Sequence, residues 1–156
     1  RAVEIQVADM VIVAVIDLGD TATMAHLLKY DSVHGNLDNE IDAVDEGIMI
    51  DGELLRVLSE RTPQDLPWGD LGVDVVIEST GIFTDREKAA MHLEAGSPLV
   101  IVSAPANGAD ATFVVGVNDS DFDKATHTVI SNASCTTNCF VPMVQVLDDA
   151  FGVEKG

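Results

Sequence analysis

Nearly unbroken apolar runs of strand length recur along the chain, separated by polar turns that often contain Gly or Pro. The runs are Met10–Ile16, Val73–Glu78, Leu99–Val102, Thr112–Val115 and Thr128–Ile130. Apolar and polar residues do not alternate within them, so both faces of each strand are expected to be buried. This pattern predicts inner strands of a parallel sheet.

Helical periodicity follows or separates these strands. Three segments are predicted as helices: residues 21–30, about 85–95 and about 136–151. Asp20 or Thr21 is the expected N-cap of the first helix, while Gly96 and Gly152 end the other two. Strand and helix therefore alternate at short spacing, which predicts an α/β fold with an open, doubly wound and mostly parallel sheet.

One section departs from this alternation. Two apolar segments, Ile48–Ile50 and Leu54–Leu58, flank Asp51-Gly52. A two-residue Asp-Gly turn between such segments predicts a β-hairpin. Parallel-sheet folds rarely contain a hairpin except as an insertion.

The stretch Ser131–Cys139 (SNASCTTNC) has the strongest chemical potential. It lies between a β-branched run and an apolar-periodic segment, so it reads as strand, polar turn and helix, with Cys135 at the helix entrance. A thiol there faces unpaired backbone N–H groups and the positive end of the helix dipole, which favour the thiolate. From these residues alone, a small buried packing cysteine is the commoner alternative. Cys139 lies one helical turn later and can share a redox reaction or simply pack.

Ligands of an open parallel sheet collect at the carboxyl ends of its strands. The small or polar residues expected there are Asp17, Ser79-Thr80-Gly81, Ser103-Ala104-Pro105 and the Cys135 stretch. Asp17 fits the acidic residue that accepts hydrogen bonds from an adenosine ribose, although a turn or cap role is equally compatible. The glycine fingerprint that precedes such an acid is absent from these residues.

Charge and cysteine content narrow the function classes. The formal net charge is −19, from 27 acidic and 8 basic residues, which disfavours a nucleic-acid partner. Two cysteines spaced four apart provide neither a disulfide framework nor a four-ligand zinc site. No apolar run approaches the ~20 residues of a membrane span, and no signal peptide is recognised, so no membrane partner and a cytoplasmic location are expected. None of the four histidines is expected beside a strand end, so no general base is visible.

The segment SNASCTTNC resembles the active-site segment of phosphorylating glyceraldehyde-3-phosphate dehydrogenases of bacterial type. Further segments resemble the cofactor domain of that family in the same order: LLKYDSVHG, SER, PWGDLGVDVVIESTGIF and VSAPA. The resemblance extends over essentially the whole chain. It implies a Rossmann-like NAD-binding domain over residues 1–134 and a nucleophile helix over residues 135–156 that begins the catalytic domain.

The resemblance also implies the chemistry. Cys135 is the nucleophile that attacks glyceraldehyde 3-phosphate, hydride passes to NAD, and inorganic phosphate cleaves the thioester to 1,3-bisphosphoglycerate. The implied contacts with substrate and phosphate are Ser134 and Thr136, and those with the dinucleotide are Asp17, Arg61, Ser79, Thr80 and Ser103. Asp17 would repel a 2′-phosphate, so NAD is expected rather than NADP. Ile16 stands where the family usually has Asn, which removes one amide hydrogen bond near this turn. A homotetramer is implied for the full-length protein.

The resemblance further implies that this is a partial chain. The first strand with its glycine turn is expected upstream of Arg1, and the catalytic His with the substrate domain downstream of Gly156. These residues alone are therefore expected neither to fold stably nor to oxidise aldehyde. Two alternatives remain open: an erythrose-4-phosphate dehydrogenase, which shares the SNASCTTNC segment, and a non-catalytic nucleotide-binding or redox-sensing module.

Overall fold

The computed structural model describes residues 10–155. The chain divides into two compact units, the first ending at Thr62 and the second beginning at Pro63. Residues 1–8 (RAVEIQVA), whose sequence is compatible with the end of a helix, lie outside the described residues. The helices are α1 (Thr21–Lys29), α2 (Arg86–Ala89), α3 (Met91–Glu94) and α4 (Cys135–Phe151), with 3₁₀ turns at Pro63–Asp65 and Asp119–Asp121. The strands are β1 (Ala14–Ile16), β2 (Tyr30–Asp31), β3 (Gly35–Asn36), β4 (Ile41–Val44), β5 (Gly47–Ile50), β6 (Glu53–Leu58), β7 (Val76–Glu78), β8 (Val100–Val102), β9 (Ala111–Thr112) and β10 (Val129–Ser131).

The first unit contains a four-stranded sheet in the order β1-β6-β5-β4 and the small β2–β3 ribbon. β1 is parallel to β6, whereas β5 is antiparallel to both β6 and β4. Asp51 and Gly52 both have positive φ (50° and 87°), as a two-residue type I′ turn requires, so the predicted hairpin is confirmed. The predicted first helix is also confirmed, and the Asp20 carboxylate caps it by accepting a hydrogen bond from the Thr23 N–H.

The second unit is built on a wholly parallel sheet in the order β7-β8-β10-β9. Val100, Val102 and Val129 are almost fully buried and pack with Ala89 of α2 to form the core. This aliphatic core agrees with the Val-rich runs of the sequence, and the α/β class with mostly parallel strands is confirmed.

Several expected elements are shorter or divided. The apolar run at residues 10–16 forms a strand only over Ala14–Ile16, and among the described residues β1 pairs with one neighbour and lies at the edge of its sheet, where an inner strand was expected. The helix expected at about 85–95 is interrupted at Ala90, where α2 ends and α3 begins. The strand expected at 112–115 is reduced to Ala111–Thr112, because a turn held by Asn118 begins at Val114.

Candidate active site

The turn that joins β10 to α4 is tied into the second unit by Ser131. The Ser131 hydroxyl donates to the Ala104 carbonyl oxygen at 2.7 Å and accepts from the Ala133 N–H at 3.0 Å. Ala133 is buried and adopts a left-handed backbone conformation (φ 59°), which is strained for a residue with a Cβ. The turn is therefore held in one shape by contacts with the segment that follows β8.

Two further side chains define the start of α4. Ser134 is the N-cap: its hydroxyl accepts from the Thr137 N–H at 3.0 Å and lies 2.8 Å from the Thr137 hydroxyl. The Asn138 amide donates to the carbonyl oxygens of Asn132 (2.7 Å) and Ser134 (2.9 Å). These bonds fix the chain on both sides of Cys135.

Cys135 is the first residue of α4, and its side chain is exposed. The Thr137 N–H is bonded to Ser134, whereas the N–H groups of Cys135 and Thr136 have no intrahelical partner, and the helix dipole adds positive potential there. An accessible thiol thus lies beside N–H donors that can stabilise an oxyanion on a carbon attacked by the sulfur. Cys139, one turn further along α4, is exposed as well.

The predicted dinucleotide residues of the second unit lie at one edge of the β7-β8-β10-β9 sheet. Glu78 of β7, Val102 of β8 and Ser131 of β10 are aligned in register and the strands are parallel. The segments that follow them, which contain Ser79-Thr80, Ser103 and the Cys135 turn, consequently emerge at the same carboxyl edge. The structure brings together the predicted site residues of the second unit: Ser79, Thr80, Ser103, Ser134, Cys135 and Thr136.

Asp17 and Arg61 belong to the first unit. Asp17 follows β1, is exposed, and accepts a hydrogen bond from the Gly19 N–H at 2.7 Å. Arg61 is exposed and follows β6, the parallel neighbour of β1, so both residues succeed the carboxyl ends of adjacent strands. A shallow cavity of about 260 Å³ in this unit is lined by residues of α1 and β4 and by Tyr30. Neither Asp17 nor Arg61 lines it.

The Thr80 turn rests on a buried polar cluster that the sequence did not reveal. The backbone N–H of Thr80 (2.7 Å) and its hydroxyl both donate to one carboxylate oxygen of Glu78. The other oxygen lies 3.0 Å from Nε2 of His92, whose Nδ1 accepts from the Trp68 indole at 3.0 Å. Burial by itself would raise the pKa of Glu78, but the hydrogen bonds from His92 and Thr80 outweigh it and hold the pKa below its usual value.

His92 corrects the expectation that no histidine adjoins a strand end. From α3 its side chain contacts Glu78, the last residue of β7. The two residues are 14 positions apart, and hydrophobic periodicity does not predict a contact between side chains on different elements. A possible signal was Glu78 itself: a carboxylate that closes a buried apolar strand needs a partner. The other histidines lie elsewhere: the His26 ring contacts the Tyr30 ring at a tilted angle, Nδ1 of His34 lies 3.4 Å from a carboxylate oxygen of Asp31, and His127 packs against Phe113.

The described residues offer no obvious metal site or membrane span. Within residues 10–155, no three or more His, Cys, Asp or Glu side chains are grouped so that they could hold a metal ion. No helix in that range is both long and apolar enough to cross a bilayer.

Comparison with known proteins gives one consistent result. A sequence model described as "Glyceraldehyde 3-phosphate dehydrogenase, NAD binding domain" matches residues 1–86, and the model of that family's C-terminal domain matches residues 134–156. A glyceraldehyde-3-phosphate dehydrogenase of Streptomyces coelicolor is 57% identical over 156 residues, which cover 100% of this chain and 46% of the relative. The corresponding protein of Geobacillus stearothermophilus is 54% identical over 148 residues, which cover 95% of this chain and 44% of the relative. The chain spans less than half the length of these relatives.

Proposed function

The chain belongs to the glyceraldehyde-3-phosphate dehydrogenase family, and on that premise we propose that the full-length protein oxidises and phosphorylates glyceraldehyde 3-phosphate with NAD, the glycolytic step that yields 1,3-bisphosphoglycerate. The observation that carries the proposal is the placement of Cys135. Its thiol is exposed at the first position of α4, at the carboxyl edge of a parallel sheet.

The proposed reaction proceeds on Cys135. Its thiolate attacks the aldehyde carbon and forms a thiohemiacetal, whose oxygen the first N–H groups of α4 can stabilise. NAD held by the residues assigned to the dinucleotide would supply the acceptor for the hydride on this carbon. Transfer of that hydride to NAD and of the hydroxyl proton to a general base would leave a thioester on Cys135. A phosphate oxygen then attacks the carbonyl and expels the thiolate, which gives the acyl phosphate and restores the enzyme.

The chain's residues fit NAD better than NADP. Asp17 is exposed at the end of β1, where a carboxylate can accept hydrogen bonds from the adenosine ribose. A 2′-phosphate would be repelled by that carboxylate, and residues 18–27 contain no Lys or Arg to bind one. We assign Arg61 to the adenine side and Ser79, Thr80 and Ser103 to the rest of the dinucleotide.

Ser134 and Thr136, which flank Cys135, are proposed to contact substrate and inorganic phosphate. The Ser134 hydroxyl caps α4 and therefore lies at a helix N-terminus, where the helix dipole favours an anionic ligand. Residues 1–134 are proposed as part of the NAD-binding domain and residues 135–156 as the start of the catalytic domain. A cytoplasmic homotetramer is the proposed form of the full-length protein, with no nucleic-acid partner.

The test is a steady-state assay of the full-length protein with NAD⁺ and inorganic phosphate, comparing glyceraldehyde 3-phosphate with erythrose 4-phosphate. The proposal expects a higher kcat/KM for glyceraldehyde 3-phosphate; a preference for erythrose 4-phosphate would assign the alternative substrate. Cys135→Ser should lower kcat by a factor of about 10³ or more, with Cys139→Ser as the matched control. Undiminished activity after iodoacetamide has modified Cys135 would contradict the catalytic role of this cysteine.

A further inference from the structure

A cluster of buried polar side chains in the second unit has no part in the reaction described above. Glu78 and His92 expose only 4% and 3% of their side chains. Trp68, which contacts His92, is also buried. Burying a carboxylate and an imidazole is costly unless both are fully hydrogen-bonded. The bonding of this cluster is therefore informative about what it holds in place.

The direction of each hydrogen bond follows from the chemistry of the groups. The Trp68 indole can only donate, so Nδ1 of His92 accepts, and the proton of the neutral ring lies on Nε2. That proton is donated to one oxygen of Glu78, at 3.0 Å. The result is a single directed chain, from indole to imidazole to carboxylate.

The chain of bonds ends at the Thr80 turn. The second Glu78 oxygen accepts both the backbone N–H and the hydroxyl of Thr80, and the Thr80 hydroxyl in turn accepts from the Ile82 N–H at 3.1 Å. The Glu78 carbonyl oxygen also accepts from the Ser103 N–H at 3.0 Å. Glu78 thus sets the positions of two segments assigned to the dinucleotide.

We propose that Glu78 and His92 are positioning residues for NAD binding, which hold the Thr80 turn in its ligand-binding shape while Trp68 fixes the tautomer of His92. This inference rests on the proposed function. It does not follow from the family resemblance, which assigns a role to none of these three side chains.

Substitution of Glu78 by Gln gives a specific conflict with this arrangement. The Gln amide is nearly isosteric, but one of its two ends can only donate. If that end faces His92, it meets the Nε2–H; if it faces Thr80, it meets two donors. A switch of the His92 tautomer would place an Nδ1–H against the Trp68 indole N–H, which is also a donor. Every arrangement of Glu78→Gln therefore loses at least one of these hydrogen bonds.

His92 allows a matched pair of substitutions. His92→Gln keeps an amide donor for Glu78 and an oxygen acceptor for Trp68, whereas His92→Leu offers neither. If positioning is the role of His92, then the conservative substitution retains most of the NAD affinity that Leu loses.

The experiment is isothermal titration of the full-length protein with NAD⁺, together with KM for NAD⁺ and kcat at saturating substrate. Glu78→Gln and His92→Leu are expected to weaken NAD⁺ binding by about ten-fold and to raise KM for NAD⁺ more than they lower kcat. For His92→Gln, the logarithm of the NAD⁺ dissociation constant should lie at least half-way from the His92→Leu value to the wild-type value. Glu87→Gln, an exposed glutamate on α2, should bind NAD⁺ as the wild type does.

The outcomes separate the two levels of the proposal. Folded Glu78→Gln or His92→Leu protein that binds NAD⁺ with wild-type affinity overturns the positioning role and leaves the proposed function intact. If Glu78→Gln does not fold, the comparison of His92→Gln with His92→Leu decides, and equal affinities overturn the role. A wild-type protein that binds no NAD⁺ contradicts the proposed function and this inference with it.

Discussion

The Asp110 carboxylate accepts four hydrogen bonds. One oxygen accepts from Arg86 Nε at 2.7 Å, and the other accepts from the Thr128 N–H, the Thr128 hydroxyl and the Val129 N–H at 2.9–3.0 Å. It thereby joins α2 to the start of β10. Burial by itself would raise the pKa of Asp110, but these hydrogen bonds more than offset it and hold the pKa well below its usual range.

Asp110→Ala is expected to be strongly destabilising. It leaves two backbone N–H groups near the core without an acceptor, at a cost of about 1–3 kcal/mol each. The full-length variant should unfold at a clearly lower urea concentration than wild type. Glu87→Ala, which removes an exposed carboxylate on the same helix as Arg86, is the control and should have a much smaller effect.

The pH dependence of the free energy of unfolding provides a second test of the role of Asp110. Because folding depresses the pKa of Asp110, its stabilisation is complete above the unfolded value of about 4 and is lost as the pH falls through the folded value. The stability difference between wild type and Asp110→Asn should therefore narrow as the medium is acidified below about pH 4. A difference that stays constant over this range would contradict the assignment.

Gly96 is required by a close backbone approach. Its φ is 103°, and a Cβ built on it would lie 2.7 Å from both N and Cα of Gly69. Gly72 also has positive φ (64°), but a Cβ there would meet no atom within 4 Å. Gly96→Ala should therefore lower the melting temperature more than Gly72→Ala, because only the first adds a collision to the backbone strain. Equal shifts would show that the contact with Gly69 is not limiting.

At the scale of elements, α4 begins in a turn whose shape its own side chains determine. The Asn138 amide bridges the Asn132 and Ser134 carbonyl oxygens, so it fixes the backbone that leads into Cys135. The sequence predicted the start of this helix within one residue and predicted the Asp51-Gly52 hairpin, since both depend on local turn and capping chemistry. It did not predict the pairing of Glu78 with His92, because that contact depends on how α3 packs on β7.

Asn138→Ala should loosen the Cys135 turn. The loss of two hydrogen bonds is expected to cost about 1–2 kcal/mol of stability and to reduce kcat of the full-length protein by about ten-fold, because the thiol is held less well. Gln145→Ala provides the control. Gln145 is on the same helix, but its hydrogen bond to Asp149 lies about three turns away from Cys135. An Asn138→Ala enzyme with unchanged kcat would contradict the role assigned to this turn.

At the scale of the whole molecule, much apolar surface of residues 10–155 is open to solvent. Five apolar side chains of α4 are more than half exposed: Phe140, Met143, Val146, Leu147 and Phe151. Within the part of the chain that the structure describes, β1 and β7 lie at the edges of their sheets, although their apolar composition predicted inner strands. Composition could indicate that these strands need partners on both sides, but not which strands provide them.

A polypeptide of residues 1–156 alone is expected to lack aldehyde dehydrogenase activity and to unfold without a cooperative transition. Exposed strand edges and an uncovered apolar helix favour association over a unique folded state. Calorimetry, dye binding and activity assays would check this. A soluble polypeptide of these residues that melts cooperatively and oxidises glyceraldehyde 3-phosphate would show the prediction to be wrong.

The most direct test of the central role of Cys135 is to trap the thioester. Full-length protein would be mixed with glyceraldehyde 3-phosphate and NAD⁺ without phosphate, quenched, digested and examined by peptide mass spectrometry. We predict an acyl adduct on Cys135, NADH in equal amount, and loss of the adduct when phosphate is added. An adduct on Cys139 instead, or turnover by Cys135→Ser at the wild-type rate, would contradict the account.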